Sequence, residues 1–192
     1  MRKIIFDIET QNIFEEVQSA DPTALDLSVL CYYDSEDDSY HSLKHNELDK
    51  FWPIVEKADL LIGYNSDHFD IPILNKYYPG DLTKIRSLDL LKEIRNVLGR
   101  RIKMDTIAGA TLGINKSGHG LEAVAWWKSG EVDKIIKYCI DDVKITKQLY
   151  DYAIKNGHLK YKDFGGIKDI KLDTSKWEKP EEKPAMTFTL PF

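Results

Sequence analysis

The sequence predicts an α/β fold with a mixed central sheet flanked by helices. Three observations carry this. Three strand-like segments come first. Strand and helix patterns then alternate. A long amphipathic segment follows, and it can cover one face of a sheet.

The first strand is read at Lys3 to Glu9, where Ile4, Ile5, Phe6 and Ile8 enclose Asp7 and Glu9. Leu27 to Tyr33 is a second apolar run, and Ser39 to Leu43 a third after the acidic turn Asp34 to Asp38. Asn46 to Lys57 has helical spacing, with Leu48, Phe51, Trp52 and Val55 on one side and Asn46 as N-cap. Leu60 to Tyr64 is a short strand. A helix is expected from Ile71 to Tyr78, stopped by Pro79-Gly80. Ile85 to Leu88 reads as a strand leading into a helix that reaches Leu98. Shorter helices are expected at Thr106–Leu112 and Leu121–Trp127. The long helix runs from Val132 to Lys155 and stops at Asn156-Gly157. Leu159 to Leu172 reads as extended or hairpin-like around Gly165-Gly166. These segments make up one domain, residues 1–172. From Asp173 the charged stretch with Pro180 and Pro184 reads as a linker to an apolar tail, residues 173–192 in all.

Of 192 residues, 42% are hydrophobic, enough for a substantial core. The N-terminal apolar run is too short for a signal peptide, and no stretch approaches a membrane span. The two cysteines, Cys31 and Cys139, sit in apolar segments. Buried free thiols in a reducing, cytoplasmic setting are the expectation. A net charge of −5 argues against a broad electrostatic grip on nucleic acid. It leaves room for an enzyme whose acidic side chains hold divalent cations and so attract phosphate locally.

Three acidic groups carry the chemistry. Residues two apart on a strand share a face, so Asp7 and Glu9 point the same way from an apolar strand. Like charges held there repel unless a cation lies between them; the alternative is a wet acidic edge. Asp70 follows the strand at Leu60 and precedes Pro72. It reads as a helix N-cap, and equally as a carboxylate carried to the same sheet end as Asp7. On the long helix Tyr138 and Asp142 are four apart and stack on one face. Asp142 falls on the margin of the apolar stripe made by Val132, Ile135, Ile136, Cys139, Val143 and Tyr150, whereas Asp141 falls opposite it. That margin suits either a site or a solvated flank.

Taken together, Asp7-Ile8-Glu9, Asn65 to Asp70 and Tyr138 to Asp142 resemble the DEDD superfamily of 3′→5′ exonucleases, in the subclass that carries tyrosine. Its motifs are Asp-x-Glu, Asn-x-x-x-Phe-Asp and Tyr-x-x-x-Asp in that order. The match covers roughly residues 1–155, and Arg101 to Ala108 adds to it. The likeness is to proofreading exonuclease domains of family B DNA polymerases and to stand-alone ribonuclease H-like exonucleases. The resemblance implies a ribonuclease H-like fold and two-metal hydrolysis at the 3′ end of a nucleic-acid strand, single-stranded or frayed, with single-stranded DNA as the expected substrate. Nucleoside 5′-monophosphates are released. It implies Asp7, Glu9, Asp70 and Asp142 as ligands for two Mg2+ ions, Mn2+ substituting, and Tyr138 as the group that orients the nucleophile. Thr10, Asn65, Phe69 and Lys116 are the candidate substrate contacts. An RNA-processing exoribonuclease, an endonuclease on the same fold, or a non-catalytic nucleic-acid or clamp adaptor are the alternatives.

Two further features stand apart. Lys92, Arg95, Arg100, Arg101 and Lys103 form a locally basic stretch, which reads as a phosphate track or as a solvated flank. The tail from Thr187 resembles the short peptide by which bacterial proteins dock on a sliding clamp. Phe188, Leu190 and Phe192 would be the pocket-filling residues, with Thr187 where glutamine is expected.

Overall fold

A computed structural model of the chain describes residues 1–114 and 120–179. Its main sheet is built from β1 (Lys3–Thr10), β2 (Leu27–Asp34), β3 (Ser39–Lys44), β4 (Leu60–Gly63) and β5 (Ser87–Asp89), in the order β3-β2-β1-β4-β5. β1 pairs antiparallel with β2 and parallel with β4; β4 and β5 are parallel. The sheet is therefore mixed, as expected. The carboxyl ends of β1, β4 and β5 share one edge, and the strand order turns about β1, with β2 and β3 added on one side and β4 and β5 on the other. Such a switch point leaves a crevice outside the strand ends.

Alternation along β1 divides the interior. Ile4, Phe6 and Ile8 join one core with Leu48, Phe51, Ile73 and Leu74. Ile5 joins the other with Cys31, Cys139, Val143 and Tyr150. Helices α1 (Phe14–Val17), α2 (Trp52–Val55) and α3 (Asp70–Asn75) contribute to the first core. α4 (Leu90–Leu98), α5 (Met104–Leu112), α6 (Gly120–Lys128) and α7 (Val132–Asn156) contribute to the second. α7 lays Ile135, Cys139, Val143 and Leu149 against β1 and β2, each fully buried. A buried side chain of this size stabilises by about 1.5–3 kcal/mol. The helix ends at Gly157, whose φ of 70° is the left-handed cap expected there. Strands β6 (His158–Asp163) and β7 (Gly166–Lys171) form a separate hairpin, seated through Leu159, Tyr161 and Ile170.

Several elements differ from expectation. The helix expected over Asn46–Lys57 is a 3-10 turn at His45–Lys50 followed by the short α2. Pro53 has no N–H to continue a ladder through the junction. Asn46 is not the cap: Glu47 accepts from the Lys44 amide at 3.1 Å. α3 ends at Asn75 rather than Tyr78, and the Asn75 side chain turns to accept from the Leu82 amide at 2.8 Å. β5 starts two residues late because Leu82–Lys84 forms a 3-10 turn. The one-turn α1 was not foreseen.

The charged segment from Asp173 stays on the domain as far as Lys179, where a linker was expected. Trp177 is buried and stacked on Tyr150 at 6.1 Å. Arg86 donates to the carbonyls of Lys176, Trp177 and Lys179, and Glu178 accepts from Lys3 and Tyr150. No helix among the described residues is long and apolar enough to cross a membrane. Cys31 and Cys139 are buried free thiols.

Candidate active site

β1 sends Asp7 and Glu9 toward α7, on the face that also carries Ile5. α7 returns Asp142 to the same place. One carboxylate oxygen from each of Asp7, Glu9 and Asp142 lies within 4.8 Å of the others. Glu9 is 9% and Asp142 5% exposed, so these charges meet in a poorly solvated place. By contrast the side chain of Asp141 is half exposed and pairs with Lys144 at 3.0 Å. The helical phase that separated the two residues in sequence holds in space.

The donor set is all oxygen, from hard carboxylates at close quarters. It fits a divalent cation of the magnesium or manganese kind. Cys139 lies beneath it: its thiol donates to the Asp7 carbonyl at 3.3 Å and approaches Asp7 Oδ2 at 3.6 Å. Burial, then Cys31 and Asp7, push the Cys139 thiol well above its ordinary range, so it is present as a neutral donor. Sequence reasoning placed Cys139 in the core and missed its contact with Asp7.

Asp70 reaches this edge by another route. It is the first residue of α3, and Phe69 takes the N-cap position. The N-cap reading of Asp70 is therefore corrected. Its Oδ1 instead accepts from the Ile8 amide at 3.1 Å, between the two acidic residues of β1. Burial pushes its carboxyl up to about 7, helped by the negative charges of Asp89 and Asp142 and opposed by the Ile8 amide. Tyr138, one turn before Asp142 on α7, meets Trp126 edge-on at 6.0 Å.

The remaining expected contacts are placed as follows. Thr10 closes β1 after an irregularity at Glu9/Thr10, and its hydroxyl donates to the Asn12 carbonyl at 2.9 Å. Phe69 packs edge-on against Phe14 at 6.2 Å, which gives α1 a place beside the site. Asn65 adopts a φ of 69° and its side-chain oxygen accepts from Arg101. Lys116 lies outside the described residues, as do Phe188, Leu190 and Phe192.

Asp89 was overlooked. Its carboxylate caps α4 through the amides of Leu91 and Lys92, at 2.9 and 3.3 Å. It also accepts from the amides of Asn65 and Asp67 at 2.8 and 3.2 Å, and so holds the loop that delivers Asp70. An aspartate directly before the apolar run Leu90-Leu91 was a readable N-cap signal; its second task was not.

A mixed sheet with carboxylates gathered at the end of its central strand, against a long covering helix, defines a class of α/β protein. The chain belongs to the RNase H superfamily, whose family model matches residues 4–154. Its structure is similar to the family B DNA polymerase from the hyperthermophilic archaeon Pyrobaculum calidifontis, with a TM-score of 0.63 and 20% identity over 80% of this chain. The chain spans about a quarter of that polymerase, 24% of its length. No sequence among curated proteins matches it.

Proposed function

We propose that this chain is a divalent-metal-dependent 3′→5′ exonuclease that removes nucleoside 5′-monophosphates from a nucleic-acid strand. Single-stranded or frayed DNA is its expected substrate. The observation that carries this reading is the meeting of Asp7, Glu9 and Asp142 within 4.8 Å. Membership of the RNase H superfamily supports a nuclease in the coarse sense. Polarity and end preference rest on the likeness of the three motifs to the tyrosine-bearing DEDD exonucleases.

In this reading Asp7, Glu9 and Asp142 hold Mg2+ or Mn2+, and Asp70 completes the set from the Ile8 amide. Such ions supply an activated water and neutralise charge on the leaving oxygen. The protein's own groups provide the rest. Tyr138 orients the attacking water by hydrogen bonding through its phenol hydroxyl. Trp126 fixes the ring of Tyr138. Phe69, backed by Phe14, and Asn65 flank the terminal nucleotide. Cys139 donates to Asp7 and limits how that carboxylate can turn. As the water oxygen bonds to phosphorus, the bond from phosphorus to the 3′ oxygen breaks, one proton of the water passes by way of solvent to that oxygen, and a shortened strand with a free 3′-hydroxyl remains.

The test uses 5′-labelled DNA and RNA, single- and double-stranded, with magnesium, manganese or EDTA. Stepwise shortening from the 3′ end, mononucleotide products and silence in EDTA are expected. Absence of cleavage with either metal, or cleavage within the strand, overturns the proposal.

A further inference from the structure

We infer that the cavity at the carboxyl ends of β4 and β5 is a subsite for the phosphate backbone of a nucleic-acid strand, upstream of the bond that is cut. This rests on the exonuclease reading for its direction, although the binding itself is separable from it. The cavity has a volume of about 610 Å³, and Asn65, His68, Lys92, Arg95 and Arg101 are among the residues that line it.

Two acidic residues also line it, and both are already engaged. Asp89 is occupied by the four backbone amides of Asn65, Asp67, Leu91 and Lys92. Asp67 accepts from the Ser87 hydroxyl and from Lys92, the latter at 2.7 Å. Arg95 projects one turn beyond Lys92 on α4, exposed, with no ion-pair partner among the described residues. Arg101 enters from the loop after Gly99 and donates to the Asn65 side chain. Two guanidinium groups thus face a cavity whose own carboxylates already have hydrogen-bond partners. Guanidinium groups match phosphate geometry and are weakly hydrated.

The lining carries no phenylalanine, tyrosine or tryptophan. His68 is its one aromatic ring, whereas Lys92, Arg95 and Arg101 supply three cations, so a phosphodiester backbone is the ligand class it suits. The chain as a whole carries a charge of −5, so this is a local concentration of cations and not a generally basic surface. Location supports the same conclusion. β1, β4 and β5 are successive neighbours, so the strand ends at the cavity lie one and two strand spacings from the end of β1, about 5 and 10 Å. That corresponds to roughly one to three nucleotides of duplex rise, within reach of one short strand. The Asn65–Asp70 loop joins the two places.

The test compares wild type with Arg95→Glu. Lys57→Glu, an exposed position before the amino end of β4, controls for the change in net charge. Affinity for a fluorescent oligothymidylate of about ten nucleotides is followed by anisotropy in EDTA across a salt series, which reports phosphate contacts without hydrolysis. Arg95→Glu should weaken binding roughly five- to tenfold and lower the salt slope by about one, with Arg95→Lys recovering part of the loss. Hydrolysis of a dinucleotide, whose one phosphodiester is the bond cut and which carries no phosphate upstream of it, should change less than about twofold. If Arg95→Glu and Lys57→Glu behave alike toward the longer strand, the subsite is refuted. Hydrolysis that persists beside such an indifferent Arg95 leaves the exonuclease reading standing alone. An Arg95-dependent loss of binding in a protein that cuts nothing does the reverse.

Discussion

The backbone amide of Ile8 donates to the carboxylate of Asp70 at 3.1 Å, which fastens the first turn of α3 to the middle of the Asp7-Ile8-Glu9 segment. A helix start and the central strand, 62 residues apart in sequence, are joined by one bond in a buried place. The bond brings Asp70 to the strand that carries Asp7 and Glu9, and burial there disfavours its charge.

That charge has a consequence for stability. Folding raises the Asp70 carboxyl to about 7, against ~3.9 in the unfolded chain. The folded state therefore binds the extra proton between those values, and metal-free stability falls as pH rises through that window. Asp70→Asn keeps an acceptor for Ile8 and removes the buried charge. In EDTA at pH 8 it should be more stable than wild type by about 2 kcal/mol, and the difference should vanish near pH 4. Urea unfolding at both pH values checks this. Added magnesium or manganese should stabilise wild type more than the variant.

Asp7→Asn and Asp142→Asn should each lower nuclease activity by more than about a hundredfold while leaving the circular dichroism spectrum unchanged. Retained full activity in either variant removes that residue from the site. Tyr138→Phe should cost less, on the order of tenfold, because it removes one orienting hydrogen bond. An unchanged rate takes Tyr138 out of the mechanism.

The Arg2 guanidinium pairs with Asp34 at the far end of β2, where Asp34 is buried and also accepts from the Glu36 amide. The pair holds the Asp34 carboxyl below the usual range despite its burial. Its contribution is therefore present above about pH 4 and is lost as pH falls through the lowered folded value. Asp34→Ala should destabilise by roughly 2 kcal/mol at pH 7, since it leaves Arg2 partly buried without its closest partner. The gap from wild type should narrow in denaturation curves taken toward pH 3.

Trp177 covers Tyr150 with its ring nearly parallel, at an angle of 15°. Trp177→Ala should cost about 3 kcal/mol. Arg86→Ala, which releases the carbonyls of Lys176, Trp177 and Lys179, should lower the melting temperature in the same direction by a smaller amount. A chain that ends at Leu172 with unchanged stability would show that this segment is not part of the domain.

Local pattern carried much of this in advance. The alternation in β1 placed Asp7 and Glu9 on one face, and the phase of α7 told Asp142 from Asp141. Gly157 closed the long helix where it was expected. Elements whose form depends on competition between neighbours were less legible. The segment around Pro53 split into a 3-10 turn and the short α2, and Asp70 gave up its expected cap for a partner across the domain.

Spacing and hydrophobic period in the sequence alone determined the strand and helix types, the two-sided burial of β1 and the residue types offered to the site, because these depend on chemistry within a few positions along the chain. Tertiary structure decided which distant groups meet. It brought Asp142 to Asp7 and Glu9, gave Asp89 its second task in the Asn65 loop, set the Cys139 thiol under Asp7, and kept Trp177 on Tyr150. The physical reason is that a buried charge or ring takes its partner from whatever the packing of sheet and helices places beside it, and that separation in space is not written in separation along the chain.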